Sequence, residues 1–205
     1  MTKRGVLAII SGFSGAGKGT IVGELVRKYD YAISISATTR NPREGEEEGV
    51  NYFFKSREAF EKMIDEDALI EYAQYLGNYY GTPKEYVMRQ LDAGRDVLLE
   101  IEMQGALKVK ERFPEATLIF ITPPDVSELR RRLEGRGTET PEVIGRRIAR
   151  AKEECAYMQK YDYIVVNDQL EDCVEQMHAL LQSLHYAGYN QLDLIHEITA
   201  GFQDI

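Results

Sequence analysis

Residues 12–20 read Gly-Phe-Ser-Gly-Ala-Gly-Lys-Gly-Thr and follow directly on the apolar run Val6–Ile10. Glycines here let the backbone fold around a polyphosphate with its N–H groups turned inward, and Lys18 adds a point charge that can follow the β- and γ-phosphates. A helix beginning near Lys18 aims the positive end of its dipole at the same place. The Gly-x-x-x-x-Gly-Lys core spans Gly12 to Lys18, but the hydroxyl residue usual directly after the lysine is replaced by Gly19, with Thr20 one position later. The nucleotide-phosphate candidates are therefore Gly12, Phe13, Ser14, Gly15, Ala16, Gly17, Lys18, Gly19 and Thr20. A plain flexible turn gives no reason for a lysine at that offset. The loop alone does not distinguish hydrolysis from phosphoryl donation.

Four more groups could do chemistry beside it. Arg40 and Arg43 lie just past the end of a strand, where α/β proteins bind ligands, and guanidinium groups match phosphate oxygens in fixed pairs. The alternative is a solvated basic turn offsetting Glu44 and Glu46–Glu48. Glu71 stands among tyrosines, with Asn78-Tyr79-Tyr80-Gly81-Thr82 close behind; this is either a packed hairpin or a ring-and-hydroxyl site around one carboxylate. Arg130, Arg131, Arg132, Arg136, Arg146, Arg147 and Arg150 are split by Gly135 and Gly137. Many of these will be helix-surface charges, but a glycine-flanked arginine segment also suits a lid that brings positive charge to a transferring group. Glu100 ends a buried strand beside the phosphate loop, a place for Mg²⁺ or its waters, or else for pairing with an arginine.

The elements that must position these residues alternate. Strands are expected at residues 6–10, 31–36, 52–54, 68–75, 78–82, 97–100, 117–121 and 163–166. Helices are expected from Lys18 to about residue 29, from Ser56, from Pro83 to Ala93, and at 103–112, 126–134, 142–158 and 173–186. The pattern implies an α/β fold: a P-loop NTPase-type three-layer arrangement around a central parallel sheet. The tyrosine-rich stretch with short strands reads as an insertion into it. In the tail, Leu192, Ile195, Ile198 and Phe202 fit a short amphipathic helix, either docked or mobile.

The chain has 205 residues, 43% hydrophobic, with a formal net charge of −9, which argues against a protein that coats nucleic acid. The first apolar run is too short for a signal peptide or membrane span. The two cysteines, Cys155 and Cys173, lack metal-type spacing and fit a reduced, cytoplasmic chain. His178, His185 and His196 form no cluster and read as structural.

Together these segments resemble guanylate kinases from about residue 5 to 186. The pieces that carry the resemblance are the phosphate loop, Ser36 to Glu46, Asn51-Tyr52-Phe53-Phe54, Gly77 to Thr82, Glu100 to Gly105, Leu133 to Glu139 and Val166-Asn167-Asp168. The resemblance implies a core made of 1–38, 84–125 and 149–186, a mixed α/β GMP-binding insertion at 39–83, a helical lid at 126–148 and a tail at 187–205. It implies ATP, accompanied by Mg²⁺, as phosphoryl donor and GMP, with dGMP, as acceptor. No membrane partner is implied, and a homo-oligomer is left open.

Carried over by position, the GMP phosphate falls to Arg40, Arg43, Tyr52 and Tyr80, and the guanine to Ser36, Glu71 and Thr82, with Glu100 also in the acceptor set. Lys18, Arg132, Arg136 and Arg147 receive the transfer chemistry, and Asn167 the adenine or ribose of ATP. No dedicated metal ligand is assigned; Glu100 and Thr20 are the candidates beside ATP-bound Mg²⁺. Departures from the family pattern are Phe13 for proline, Thr82 for serine, Glu102 and Met103 for an Asp and a following apolar residue, and Gly19. Two rivals remain: a catalytically inactive guanylate-kinase-like protein-binding module, and a P-loop kinase acting on a ribose phosphate.

Overall fold

A computed structural model describes residues 4–43, 45–75, 77–135 and 140–203, with Tyr75 and Gln203 described by backbone alone. The central strand β1 (Leu7–Gly12) is flanked by β7 (Val97–Glu100) and β8 (Thr117–Thr122). β2 (Ala32–Ile33) and β9 (Tyr163–Val166) complete a parallel sheet of order β2-β7-β1-β8-β9. The register sets Ile9 beside Leu99 on one side and Leu118 on the other, and all three are sealed from water. Such continuous apolar strands require cover on both faces. α1 (Lys18–Lys28) and α7 (Leu170–Leu184) pack together, while α4 (Met103–Arg112) packs against β1 and β8. α1 buries Ile21, Val22 and Leu25 but leaves Val26 exposed, because only the first three share the sheet-facing stripe.

A second, four-stranded sheet has the order β4-β3-β6-β5, built from β3 (Ala37–Thr38), β4 (Phe53–Phe54), β5 (Leu69–Tyr75) and β6 (Asn78–Pro83). α2 (Arg57–Asp65) backs it, starting at Ser56, whose hydroxyl accepts from the Ala59 N–H at 3.1 Å. Phe60 is fully buried and stacks on Tyr79.

Of the strand expected at 31–36 only Ala32–Ile33 forms, as β2, and a further strand, β3 at Ala37–Thr38, lies beyond it. Ala32 and Ile33 pair with β7 in the first sheet, whereas Ala37 and Thr38 pair with β4 and β6 in the second. The chain changes sheets at Ser34–Ser36, and an alternating pattern reads straight through that crossing. Pro83 caps α3 (Lys84–Asp92) as the last residue of β6, rather than entering its first turn. The helix expected over 142–158 is α6 (Pro141–Glu154), which tightens into a 3-10 segment at Cys155–Lys160. α7 begins at Leu170, earlier than expected.

α5 (Val126–Glu134) buries Leu129 and Leu133 in the main core. The tail forms α8 (Leu192–Gln203), and Leu192, Ile195, Ile198 and Phe202 stay exposed on it. His178 stacks on Tyr29 and pairs with the Tyr31 hydroxyl at 2.8 Å, while His185 meets Asp96 at 3.0 Å. Both are structural contacts.

Candidate active site

The loop between β1 and α1 needs glycine at two places for different reasons. Gly15 has φ of 94° and Gly17 of 90°, a region that L side chains rarely adopt. A Cβ on Gly15 would lie 2.8 Å from Leu133 of α5, and one on Gly17 would lie 2.5 Å from the Asn167 amide nitrogen. The loop is thus held from outside. Asn167 donates to the Ala16 carbonyl at 2.8 Å, and its own carbonyl accepts from Arg132 at 2.9 Å. Lys18 Nζ folds over the loop and donates to the carbonyls of Gly12 and Phe13 at 2.9 and 3.1 Å. A cavity of about 390 Å³ opens beside Ser14, Gly15, Gly17, Gly19, Thr20 and Glu100.

A second cavity of about 400 Å³ lies between Gly12, Ser14, Lys18, Glu100, Met103 and Arg147. Glu100 ends β7 next to Gly19, where a Cβ would sit 3.6 Å from its carboxylate. Its carboxylate opens on the cleft, yet the enclosing walls raise its pKa above the ordinary range, and Lys18 draws it partly back. Among the described residues, the charge that acts on Glu100 is that of Lys18. Among the described residues, no group of three or more His, Cys, Asp or Glu side chains could hold a metal by itself. Glu100 and the first turn of α1 suit a cation that arrives with phosphates and keeps its waters.

The segment from Glu100 to Gly105 leads from this loop to Glu71. A Cβ on Gly105 would lie 3.4 Å from the Glu71 carboxylate. Thr82, itself fully buried, donates its hydroxyl to Glu71 at 2.9 Å. Burial raises the Glu71 pKa, while the Thr82 hydrogen bond and Lys108 lower it to a lesser degree. The antiparallel register Ala37↔Gly81 sets Ser36 level with Thr82. Ser36, Thr82 and Glu71 therefore form a row across β3, β6 and β5.

Arg40 follows β3. Its guanidinium lies 5.4 Å from the Tyr52 ring centre, and the Tyr80 ring is 6.2 Å from that of Tyr52. The Glu46 carboxylate accepts from both Arg40 terminal nitrogens, at 2.9 and 3.0 Å, and from the Arg43 N–H at 2.7 Å. The solvated-turn alternative foresaw a charge partner, but this pair is largely enclosed.

Of the arginine segment, Arg147 reaches the phosphate loop, donating to the Ser14 hydroxyl at 2.9 Å. Arg132 is fixed by Glu128 at 2.6 Å and by the Asn167 carbonyl. Arg131 and Arg132 together hold Glu128 at a pKa of about 2. Arg150 turns to Glu102 and Glu154. Arg136 lies outside the described residues.

The structure thus gathers Lys18, Glu100, Asn167, Arg132 and Arg147 around the loop, and Ser36, Arg40, Tyr52, Glu71, Tyr80 and Thr82 on the second sheet. Two partners were absent from the sequence-derived candidates. The four-residue spacing of Glu128 and Arg132 could have shown the first. Glu46 pairs across an irregular loop and leaves no periodic signal.

A parallel sheet whose central strand feeds a phosphate loop, with a row of base-sized polar groups across the cleft, defines a P-loop phosphotransferase. The guanylate kinase family model matches residues 4–184, and the chain belongs to that family. A guanylate kinase of Halalkalibacterium halodurans is 52% identical over 198 residues, covering 96% of this chain and 97% of its own. One from Caldanaerobacter subterraneus is 55% identical over 180 residues, covering 87% of each. The crystal structure of guanylate kinase from Anaplasma phagocytophilum superposes with a TM-score of 0.71 at 31% identity, covering 91% of this chain and 89% of that one.

Proposed function

We propose that this chain transfers the γ-phosphoryl group of ATP to GMP, and to dGMP, releasing ADP and GDP, as an enzyme of purine nucleotide metabolism and recycling. One observation carries the reading: the short segment Glu100–Gly105 joins the phosphate loop at Gly19 to the buried Glu71–Thr82 pair. Two nucleotide sites so linked favour transfer between nucleotides over hydrolysis. Guanine offers N1–H and N2–H₂ side by side, and the Glu71 carboxylate can accept both. Adenine lacks those donors and would leave a buried carboxylate unpaired, a mismatch able to discriminate by about 10⁴. Ser36 can donate its hydroxyl to the guanine O6, and Thr82 could do so only by turning its one proton away from Glu71.

Arg40, Arg43, Tyr52 and Tyr80 bind the acceptor phosphate, whose oxygen is already a nucleophile and needs no strong base. Lys18, Arg132, Arg136 and Arg147 stabilise charge on the transferring group. Mg²⁺ arriving with ATP would offset phosphate charge, and Glu100 and Thr20 are the residues that would help hold it. Residues 39–83 form the acceptor domain. The lid spans 126–148, and Leu129, Leu133 and Ile144 seat it against the core in this arrangement. The intact loop and Lys18 support an enzyme over a protein-binding module. A cytoplasmic site of action suits the two free cysteines.

A coupled ADP-release assay across GMP, dGMP, AMP, CMP and UMP tests this. GMP is expected far ahead of AMP, CMP and UMP. Equal turnover of AMP would remove the base-recognition argument, and absence of GMP turnover would remove the function.

A further inference from the structure

Arg40 offers five N–H groups in a rigid fork. Its Nη1 donates to Glu46 Oε2 at 3.0 Å and to the Asn41 carbonyl at 2.7 Å, and its Nη2 donates to Glu46 Oε1 at 2.9 Å. These bonds occupy the end of the fork. The side edge, made of Nε and the second Nη2 proton, is the edge next able to grip two phosphate oxygens. The Tyr52 and Phe54 ring centres lie 5.4 and 6.0 Å from the guanidinium carbon. The Arg40 and Glu46 side chains are only 16% and 18% exposed, unlike an ordinary surface ion pair. The same carboxylate takes the Arg43 N–H at 2.7 Å, so one side chain ties down the loop at both arginines.

Building on the reading of Arg40 as a ligand of the acceptor phosphate, we propose that Glu46 is a positioning residue for that phosphate. It holds the end of the Arg40 fork and the Arg43 backbone so that the side edge of Arg40 is presented ready for a bidentate grip. A carboxylate near a phosphate repels it. A residue that merely balanced charge would therefore weaken binding, and its neutralisation would tighten it. A positioning residue has the opposite effect: without it, Arg40 must be ordered at each binding event.

Glu46→Gln keeps the size but turns an NH₂ toward a nitrogen donor, which breaks the double grip. Steady-state kinetics of Glu46→Gln, Glu46→Ala, Arg40→Ala and Arg40→Ala/Glu46→Gln would be compared with the wild type, with melting temperatures in parallel. Expected are a rise of about tenfold or more in KM for GMP in Glu46→Gln, an unchanged KM for ATP, and unchanged inhibition by guanosine, which lacks the phosphate. Little further change is expected when Glu46→Gln is added to Arg40→Ala, because the two act as one unit. A GMP KM that stays within twofold or falls in both folded Glu46 variants, while Arg40→Ala raises it, would overturn the positioning role alone. So would full additivity in the double variant. If Arg40→Ala leaves the GMP KM unchanged, the phosphate assignment fails and takes this proposal with it. Loss of wild-type GMP turnover would register separately as failure of the function.

Discussion

Replacing Glu71 by glutamine isolates the guanine argument, because the change keeps the volume and removes the charge. Thr82 donates to Glu71 Oε1 at 2.9 Å, and glutamine retains one oxygen able to accept that bond. Its NH₂ then takes the place of the second carboxylate oxygen and faces guanine donors. One charge-assisted bond, about 1.5–3 kcal/mol, is lost, and one buried donor is left unpaired at about 1–3 kcal/mol. The sum, about 2.5–6 kcal/mol, corresponds to about 10²-fold or more in the KM for GMP at ~1.4 kcal/mol per tenfold. The lower end is expected, because burial already opposes the Glu71 charge. The KM for ATP should not change, and the melting temperature should not fall, since no buried charge remains to be desolvated. A coupled ADP-release assay at varied GMP with saturating ATP reads the first quantity, and thermal denaturation reads the last. A folded variant whose GMP KM stays within about threefold of wild type would refute the reasoning.

The same carboxyl gives a pH dependence of definite sign. Burial raises its pKa, and the proposed pairing with guanine needs its ionised form, so the GMP KM should climb as pH falls through a value above the ordinary glutamate range. Stability runs the other way: below the unfolded pKa the group is neutral in both states, and its contribution declines as pH rises through the folded pKa. Glu71→Gln should flatten both profiles, and an unflattened KM profile would assign the titration elsewhere. A thiol reagent at pH 8 should modify Cys155 quickly and spare Cys173, which is 1% exposed with its thiol pushed up to about 11. Fast labelling that survives Cys155→Ser would contradict that burial.

The phosphate loop was legible because its demands are local: glycines where φ turns positive, a lysine at a fixed offset, an apolar strand before and an apolar helix stripe after. The apolar strands expected at 97–100, 117–121 and 163–166 were legible for the same reason, although the last leaves Tyr163, Ile164 and Val166 exposed. The crossing at Ser34–Ser36 was not, because alternation records which side chains face inward and not which sheet they join. Glu71 and Thr82 stood out only as a carboxylate and a hydroxyl near tyrosines. Their pairing depends on the register of β5 against β6, with its irregularity between Leu69 and Tyr72. The apolar face of α8 was readable at helical spacing, but spacing does not say what a face meets, and here it meets solvent.

Gly15 and Leu133 lie so close that the donor loop and the end of α5 rest on each other. A methyl group added at Gly15 would lie 2.8 Å from Leu133 and would crowd the loop and the helix at once. Shortening Leu133 would open space against the loop while leaving its backbone N–H groups in place. The phosphate loop and the helix that carries Arg132 are therefore fitted to one another, and a change of size at either position must be answered at the other.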